Sequence, residues 1–208
     1  MLDFAAGLYS PDKIDRFRAM GAWTDETVDQ LFTARVAERG DAVALVDPAN
    51  NEALVGTAPR RLTWRELDSE VTALAARLLE AGITTGDVIG VELPNGVELV
   101  ELYLAAWRIG AVVSPLAMQY REHEIVGMGT AADFRMLVTV PDFAGWPAAT
   151  DIAGFADRLP GLTTLATLTA APVAKPVGGV LHLVSAPATD ADRTAVEAHG
   201  YVADPNHP

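Results

Sequence analysis

Histidine and serine side chains are the residues of this sequence best suited to metal binding, proton transfer or nucleophilic attack. The four histidines lack the spacing of a metal site; they are His123, His182, His199 and His207. No serine lies in the G-x-S-x-G motif of a hydrolase; the serines are Ser10, Ser69, Ser114 and Ser185. The absence of cysteine excludes disulfides, thiolate catalysis and cysteine-ligated metals. The sequence therefore predicts no catalytic and no metal-binding residue.

Glu122-His123-Glu124 is the one segment that approaches the composition of a metal-binding motif. A zinc motif of the H-E-x-x-H type needs a second histidine four residues after the first. Gly127 occupies that position. The segment is therefore predicted to form an exposed turn of a helix.

Glycine and aromatic residues give no evidence of a nucleotide site either. Gly82 and Gly86 are not followed by a Lys-Ser/Thr pair, as a phosphate-binding P-loop requires. No G-x-G-x-x-G follows a predicted strand, so a dinucleotide site is unsupported. Trp64, Tyr103 and Trp107 stand at helical positions and are expected in the core, where large aromatic rings bury most of their surface.

The stretch from residue 62 to 115 sets the expected architecture. Thr63 and Glu66 form a capping box that begins a helix, and Gly82 ends it. A short apolar strand follows at residues 88–93, then an almost wholly apolar helix at 97–109. Alternation of helices and strands with short glycine turns is typical of a layered α/β domain with parallel strands.

We expect a mostly parallel sheet flanked by helices on both faces. Strands that helices cover on both faces are almost continuously apolar. Four such strands are predicted, at residues 43–46, 88–93, 111–113 and 137–140. Weaker patterns follow in the last third of the chain. They indicate a helix near 150–158, strands near 162–168 and 180–184, and a helix at 190–199.

The two ends of the chain carry less regular patterns. Residues 1–22 are predicted to form an irregular N-terminal arm with a short helix at 12–20, and residues 23–208 a single α/β unit. Thr24 is the expected N-cap of a helix whose first turn includes Asp25 and Glu26. Residues 47–61 read as a loop or hairpin, and 204–208 as a frayed end.

The charge balance excludes two classes of partner. The 208 residues carry 28 acidic and 15 basic side chains, a net charge of −13, and Arg60-Arg61 is the only basic doublet. We interpret that doublet as part of a solvated loop. Without a basic stripe, nucleic acid and anionic membrane surfaces are not expected partners. No signal peptide and no membrane-spanning run is found, so a cytoplasmic protein is expected.

Several blocks in one order resemble the opening of an AMP-forming acyl-CoA synthetase. The blocks are residues 62–67, 82–91, 93–95, 103–112 and 115–116. The resemblance extends from about residue 24 to 140. It places the chain among the adenylate-forming enzymes, which include acyl-CoA synthetases, peptide-synthetase adenylation domains and luciferases.

The resemblance implies a function for a longer protein. Such enzymes activate a carboxylic acid with ATP and Mg²⁺, release pyrophosphate and transfer the acyl group to coenzyme A, for example in fatty acid metabolism. Their phosphate loop is a Ser/Thr/Gly-rich run ending in Pro-Lys-Gly. Residues 173–180 are the nearest match, but Lys175 precedes Pro176 and no Ser/Thr run stands before it. This segment is predicted to be an ordinary turn before a strand.

The family's ribose-binding aspartate motif and adenylation lysine are also missing. The chain is therefore expected to be an N-terminal part cut before the phosphate loop, binding no cofactor and inactive by itself. The alternative is a non-catalytic paralogue or an oligomerisation module that kept the fold. In either case, a homodimer or higher oligomer is expected through the segments from about residue 162 onward, because truncation exposes apolar surface and sheet edges. The alternative is that these segments fold back over the exposed apolar face and keep the chain monomeric.

Overall fold

The structure is a computed structural model that describes residues 9–24 and 26–202. The helices of this part are α1 (Pro11–Ala19), α2 (Val28–Arg39), α3 (Asn51–Val55), α4 (Trp64–Glu80), α5 (Val97–Arg108), α6 (Glu122–Ala132), α7 (Ala148–Ala153) and α8 (Asp190–His199), with a 3₁₀ turn at Ala156–Arg158. Its strands are β1 (Val43–Val46), β2 (Arg61–Thr63), β3 (Val88–Val91), β4 (Val112–Pro115), β5 (Phe134–Thr139), β6 (Thr164–Thr169) and β7 (Leu181–Val184).

A five-stranded parallel sheet of order β4-β3-β5-β6-β7 forms the centre of the fold. The chain first adds β4 on one side of β3 and then crosses to add β5 on the other side. Because parallel crossovers are right-handed, this reversal places α5 on one face and α6 on the opposite face. The predicted α/β class, with a mostly parallel sheet between helices, is confirmed.

Each face of the sheet has its own apolar cluster. One cluster packs α4 and α5 on the sheet through residues such as Leu78, Leu102 and Met136. The other packs α6 and α7 through Ile125 and Ile152. Most strand residues are apolar because both faces of the sheet are covered.

Helix α4 has the boundaries that its sequence signals predict. The Thr63 hydroxyl accepts a hydrogen bond from the Glu66 N–H at 3.2 Å, and the Glu66 carboxylate accepts one from the Thr63 N–H at 2.8 Å. Gly82 has φ = 83°, a left-handed conformation that glycine adopts at least cost. The predicted capping box and glycine stop are both confirmed.

The prediction that residues 43–46 belong to the parallel sheet is wrong. Strand β1 pairs antiparallel with β2, in a separate two-stranded sheet. Only the five-residue helix α3 lies between the two strands. A parallel crossover usually contains a longer helix that covers the sheet, whereas an antiparallel return can be made by a turn or loop. Val43 and Val46 are accordingly exposed rather than buried under helices.

The start of α2 also differs from the prediction. Thr27, not Thr24, is the N-cap: its hydroxyl accepts from the Gln30 N–H, and the Gln30 side chain accepts from the Thr27 N–H. Helix α1 covers most of the predicted 12–20 helix and buries no side chain. Residues 1–8 of the predicted arm, Asp25 and the predicted frayed end at 204–208 lie outside the described residues.

The C-terminal segments extend the same fold. Strands β6 and β7 continue the sheet, and α8 has the predicted bounds and packs on α4. The Ala188 N–H donates to the Ser69 hydroxyl at 3.0 Å, and His199 Nε2 lies 3.0 Å from the Ile109 carbonyl oxygen. Strands β6 and β7 thus pair within their own sheet, as in the monomeric alternative, while the oligomeric state stays a prediction. Within the described ranges, no helix is long and apolar enough to cross a membrane.

Candidate functional site

The carboxyl ends of β3, β5 and β6 meet at the place where the strand order reverses. Chain order steps from β3 to β4 on one side and then to β5 on the other, so the connections after β3 and β5 diverge. In open α/β sheets, ligands bind outside the carboxyl ends of the strands at such a switch point. The topology therefore identifies this edge as the candidate site.

A cavity of about 390 Å³ opens at this edge. Its walls are mainly apolar, as ligand pockets usually are. They come from the segment after α3, the ends of β3, β5 and β6, one residue of α5 and the start of the loop between β6 and β7. The lining residues are Val55–Thr57, Leu93, Pro94, Glu98, Val140–Asp142 and Leu168–Ala174.

Asp47 and Asn51 fix the wall that follows β1. One Asp47 oxygen accepts from the Val97 N–H at 2.7 Å, at the start of α5, and the other accepts from the Arg60 N–H at 2.8 Å. A carboxylate at a helix N-terminus is favoured by the helix dipole and by the free backbone donors there. The Asn51 amide donates to the carbonyl and hydroxyl oxygens of Thr57, which shapes the turn that lines the cavity.

Behind the cavity, the Arg60 guanidinium is surrounded by three carboxyl groups. It forms ion pairs with Glu98 at 3.0 Å, with Glu101 at 3.4 Å and with Glu70, and its side chain is only 18% exposed. The solvated-loop interpretation of the Arg60-Arg61 doublet is therefore wrong for Arg60, whereas Arg61 is exposed. Burial alone would lower the pKa of Arg60, but the bonds and charges of the three glutamates raise it well above its usual value.

Glu101 is the most deeply buried member of this cluster, with 1% of its side chain exposed. Burial, together with hydrogen bonding to Glu70, raises the pKa of Glu101 to about 9, although the Ser185 hydroxyl and Arg60 oppose the shift. Glu101 is therefore protonated at neutral pH. We call Arg60, Glu70, Glu98 and Glu101 the Arg60 cluster. It combines one permanent cation with a neutral carboxyl, and its member Glu98 lines the cavity.

A second buried carboxyl lies directly at the end of β3. Glu92 follows the last residue of that strand, and its N–H donates to the Val138 carbonyl oxygen of β5 at 2.9 Å. The Glu92 and Thr139 side chains are fully buried. Among the described residues, neither the Glu92 carboxylate oxygens nor the Thr139 hydroxyl has a hydrogen-bond partner. Burial, partly offset by the Arg121 charge, raises the pKa of Glu92 to about 7.

The loop between β6 and β7 forms the remaining wall, and His182 holds it in place. His182 Nε2 accepts from the Val177 N–H at 3.2 Å. Nδ1 lies 2.7 Å from the Thr167 hydroxyl oxygen and must carry the ring proton if the imidazole is neutral. One side chain thus connects β6, the loop and β7.

The residues singled out from the sequence lie at several places. Residues 173–180 form the irregular loop before β7, and two of them, Val173 and Ala174, line the cavity. Glu122 pairs with Arg158 on the surface, and Glu124 accepts from the Arg121 N–H at the start of α6. The aromatic side chains of Trp64, Tyr103 and Trp107 are partly buried against the core. His207 lies outside the described residues.

Mg²⁺ has no evident site in this part of the chain. Among residues 9–24 and 26–202, no group of three or more His, Cys, Asp or Glu side chains is arranged to hold a metal ion. We therefore assign no Mg²⁺ ligand to these residues and derive no step through the metal.

Sequence reasoning missed the Arg60 cluster and Glu92. Glu98 and Glu101 stand three residues apart in an otherwise apolar helix, and Glu92 follows directly on an apolar strand. Charged residues at positions that a pattern assigns to the core are rare unless they are paired or functional. That signal was present, but the partners lie up to 41 residues away and follow no local spacing.

Comparison with known proteins agrees with this architecture. The sequence profile of the family described as AMP-binding enzyme matches residues 32–200. A salicylyl-CoA synthase / salicylate adenylyltransferase of Streptomyces sp. is 34% identical over 131 residues, which are 63% of this chain and 22% of that protein. The medium-chain fatty-acid–CoA ligase of Escherichia coli (strain K12) is 34% identical over 110 residues, 53% of this chain and 18% of the ligase.

Solved structures show the same fold. The acetoacetyl-CoA synthetase from Streptomyces lividans superposes with a TM-score of 0.62 at 21% identity, over 86% of this chain and 26% of that one. The chain spans about a fifth of the length of the two curated relatives described above.

Proposed function

The chain belongs to the AMP-binding enzymes, and we propose that its residues form the N-terminal α/β layer of an AMP-forming acid–thiol ligase. In the proposed reaction a carboxylate oxygen attacks the α-phosphate of ATP, and pyrophosphate leaves. The thiol sulfur of coenzyme A then attacks the acyl carbon of the adenylate, losing its proton, and AMP leaves. The observation that carries the proposal is the family match over residues 32–200.

In this proposal, the described residues contribute support rather than chemistry. The cavity at the carboxyl edge and the loop held by His182 belong to a rigid parallel sheet, which is the kind of scaffold that positions a binding site. The phosphate-binding and adenylating groups are supplied by residues other than these 208. We further propose that the enzyme is cytoplasmic.

The identity of the acid is left to experiment. The named relatives concern salicylate and medium-chain fatty acids, so aryl acids and fatty acids are the two classes to compare, with fatty acid metabolism as one candidate context. Pyrophosphate release from ATP would be measured for the natural gene product that contains these residues, with salicylate and with octanoate. Release with at least one acid is expected, and CoA thioester should form in equal amount.

Pyrophosphate release by the 208-residue chain alone is expected to stay at background. Steady turnover by this chain alone would contradict the assignment of the chemistry to other residues. Background release by the natural gene product with every acid would instead support the second candidate, a non-catalytic module that retains the fold.

We also propose that the chain associates with itself. Strands β4 and β7 are the two edges of the parallel sheet, and unpaired edges favour pairing with another copy. The net charge of −13 opposes non-specific aggregation but leaves a symmetric dimer available.

A further inference from the structure

Two polar side chains without hydrogen-bond partners lie side by side at the switch point of the sheet. The Glu92 backbone is bonded to β5 at Val138, so Glu92 and Thr139 occupy neighbouring positions on adjacent strands. Both side chains are fully buried, and their polar atoms have no partner among the described residues. A buried acid in this state is stable only while it keeps its proton, because an unpaired carboxylate in an apolar environment is strongly disfavoured.

A cation lies close to this acid but is engaged elsewhere. The Arg121 guanidinium carbon is 3.6 Å from the centre of the Trp146 ring, and its Nη1 donates to the Met118 carbonyl oxygen at 3.0 Å and to that of Tyr120. Arg121 follows β4 and Trp146 follows β5, the two strands on either side of β3. The two side chains therefore meet across the carboxyl end of β3, where Glu92 is buried.

We propose that Glu92 is a proton-binding site that sets the position of Arg121. While Glu92 is protonated, the guanidinium rests on the Trp146 indole. When Glu92 loses its proton, the carboxylate draws the guanidinium away from the indole into an ion pair, and the Trp146 ring is uncovered. The sheet edge that carries the cavity thus has two forms, which differ by one proton. This inference is independent of the proposed ligase function.

The energetic balance favours such a change. Arg121 would give up a cation–π contact, which is weak at an exposed site, and its hydrogen bonds to the Met118 and Tyr120 carbonyl oxygens. Because Arg121 is exposed, water can replace those hydrogen bonds. A buried carboxylate without a partner is far more costly, and a guanidinium is the cation best suited to pair with it. The pKa of Glu92, raised by burial to about 7, places the change close to neutral pH.

Other titratable groups around this edge have partners of their own. They belong to α6, to the turn after β5 and to α7. Glu122 pairs with Arg158, Glu124 accepts from the Arg121 N–H, Asp142 accepts from the Gly145 N–H, Asp151 accepts from the Trp146 indole N–H, and His123 acts on Glu124. Besides burial, Arg121 is the one cause that shifts the pKa of Glu92. The transition should therefore follow Glu92.

The test is a titration of tryptophan fluorescence in the 208-residue chain from pH 5 to 9. We expect one transition with a midpoint near pH 7, because the guanidinium leaves the indole face of Trp146. The transition should be lost in Glu92→Gln, which cannot ionise, in Arg121→Met, which has no charge to move, and in Trp146→Phe, which removes the reporter. His123→Gln, a change to an exposed residue at the start of α6, should retain it and serves as the matched control.

A transition that persists unchanged in Glu92→Gln, or no transition in the unmodified chain, would overturn the proposal. A second measurement needs no variant and covers the case in which Glu92→Gln fails to fold. NMR of the unmodified chain should show the side-chain carboxyl carbon of Glu92 and the indole N–H of Trp146 titrating with the same midpoint. Different midpoints for these two signals would contradict the coupling.

Discussion

The Ser185 hydroxyl donates a hydrogen bond to Glu101 Oε2, and this bond joins the end of strand β7 to the buried side of α5. The two residues are 84 positions apart in the chain. Through Glu101, the edge of the sheet is connected to the Arg60 cluster and so to the wall of the cavity. The stability of this region should therefore respond to the protonation of Glu101.

Replacing Glu101 by glutamine should flatten the dependence of stability on pH. The pKa of Glu101 is raised in the folded chain from 4.5 to about 9, so between these values the folded state holds a proton that the unfolded state has lost. The free energy of unfolding must then fall as pH rises from about 5 to 9. Urea unfolding at pH 5 and pH 9 measures how much free energy of unfolding is lost between them. We expect this loss to be larger in the unmodified chain than in Glu101→Gln by at least about 1.4 kcal/mol, which corresponds to one pKa unit.

Glu80→Gln is the matched control, because Glu80 also lies on a helix but is exposed. Its pH dependence should equal that of the unmodified chain. An equal loss in Glu101→Gln would show that Glu101 is not the group that keeps the proton.

Replacing Arg60 by methionine should destabilise the chain strongly. Three carboxyl groups surround its guanidinium, and removing the cation leaves buried negative charge without a partner. Breaking a buried ion pair in this way costs roughly 3–5 kcal/mol. Urea unfolding at pH 7 would measure the change; Arg61→Met, at the neighbouring exposed position, should cost less than about 1 kcal/mol.

A methyl group at position 90 should also be costly. A Cβ on Gly90 would lie 2.4 Å from the ring of Phe134, the fully buried first residue of β5. We expect Gly90→Ala to lower the free energy of unfolding by roughly 1–3 kcal/mol through overpacking. Gly178→Ala, where a Cβ meets no atom within 4 Å, should have little effect. If Gly90→Ala lowered the free energy of unfolding as much in a Phe134→Leu background as in the unmodified chain, the clash with the ring would not be the cause.

Self-association can be measured directly. Light scattering across a dilution series should show a concentration-dependent dimer if the strand edges β4 and β7 pair with another copy. Val113→Pro on the edge strand β4 should weaken that dimer if β4 is the contact. The Val112 and Leu116 N–H groups donate to β3, so the alternate Val113 N–H faces the open edge, and proline removes it. A monomer at every concentration would contradict the proposed association and match the folded-back arrangement of residues 162–184.

Much of the fold follows from local sequence signals, because caps and periodic apolar positions act over a few residues. Thr63, Glu66 and Gly82 bound α4 as predicted, and the apolar runs of β3 and β5 lie at the centre of the sheet. The pairing of β1 could not be obtained in this way, since its apolar run is equally compatible with a parallel or an antiparallel neighbour. The Arg60 cluster was missed because its members come from a loop and two helices that only the tertiary fold brings together.

The packing of α8 on α4 has a consequence for synthesis of the chain. The Ala188 N–H and the Ser69 hydroxyl that it contacts are 119 residues apart. At a translation rate of about 5–20 residues per second, the surface of α4 that α8 covers stays open on the ribosome for roughly 6–24 s after Ser69 is made. During that interval an apolar helix face is available to chaperones or to other nascent chains, and codon choice between the two segments would set how long it lasts.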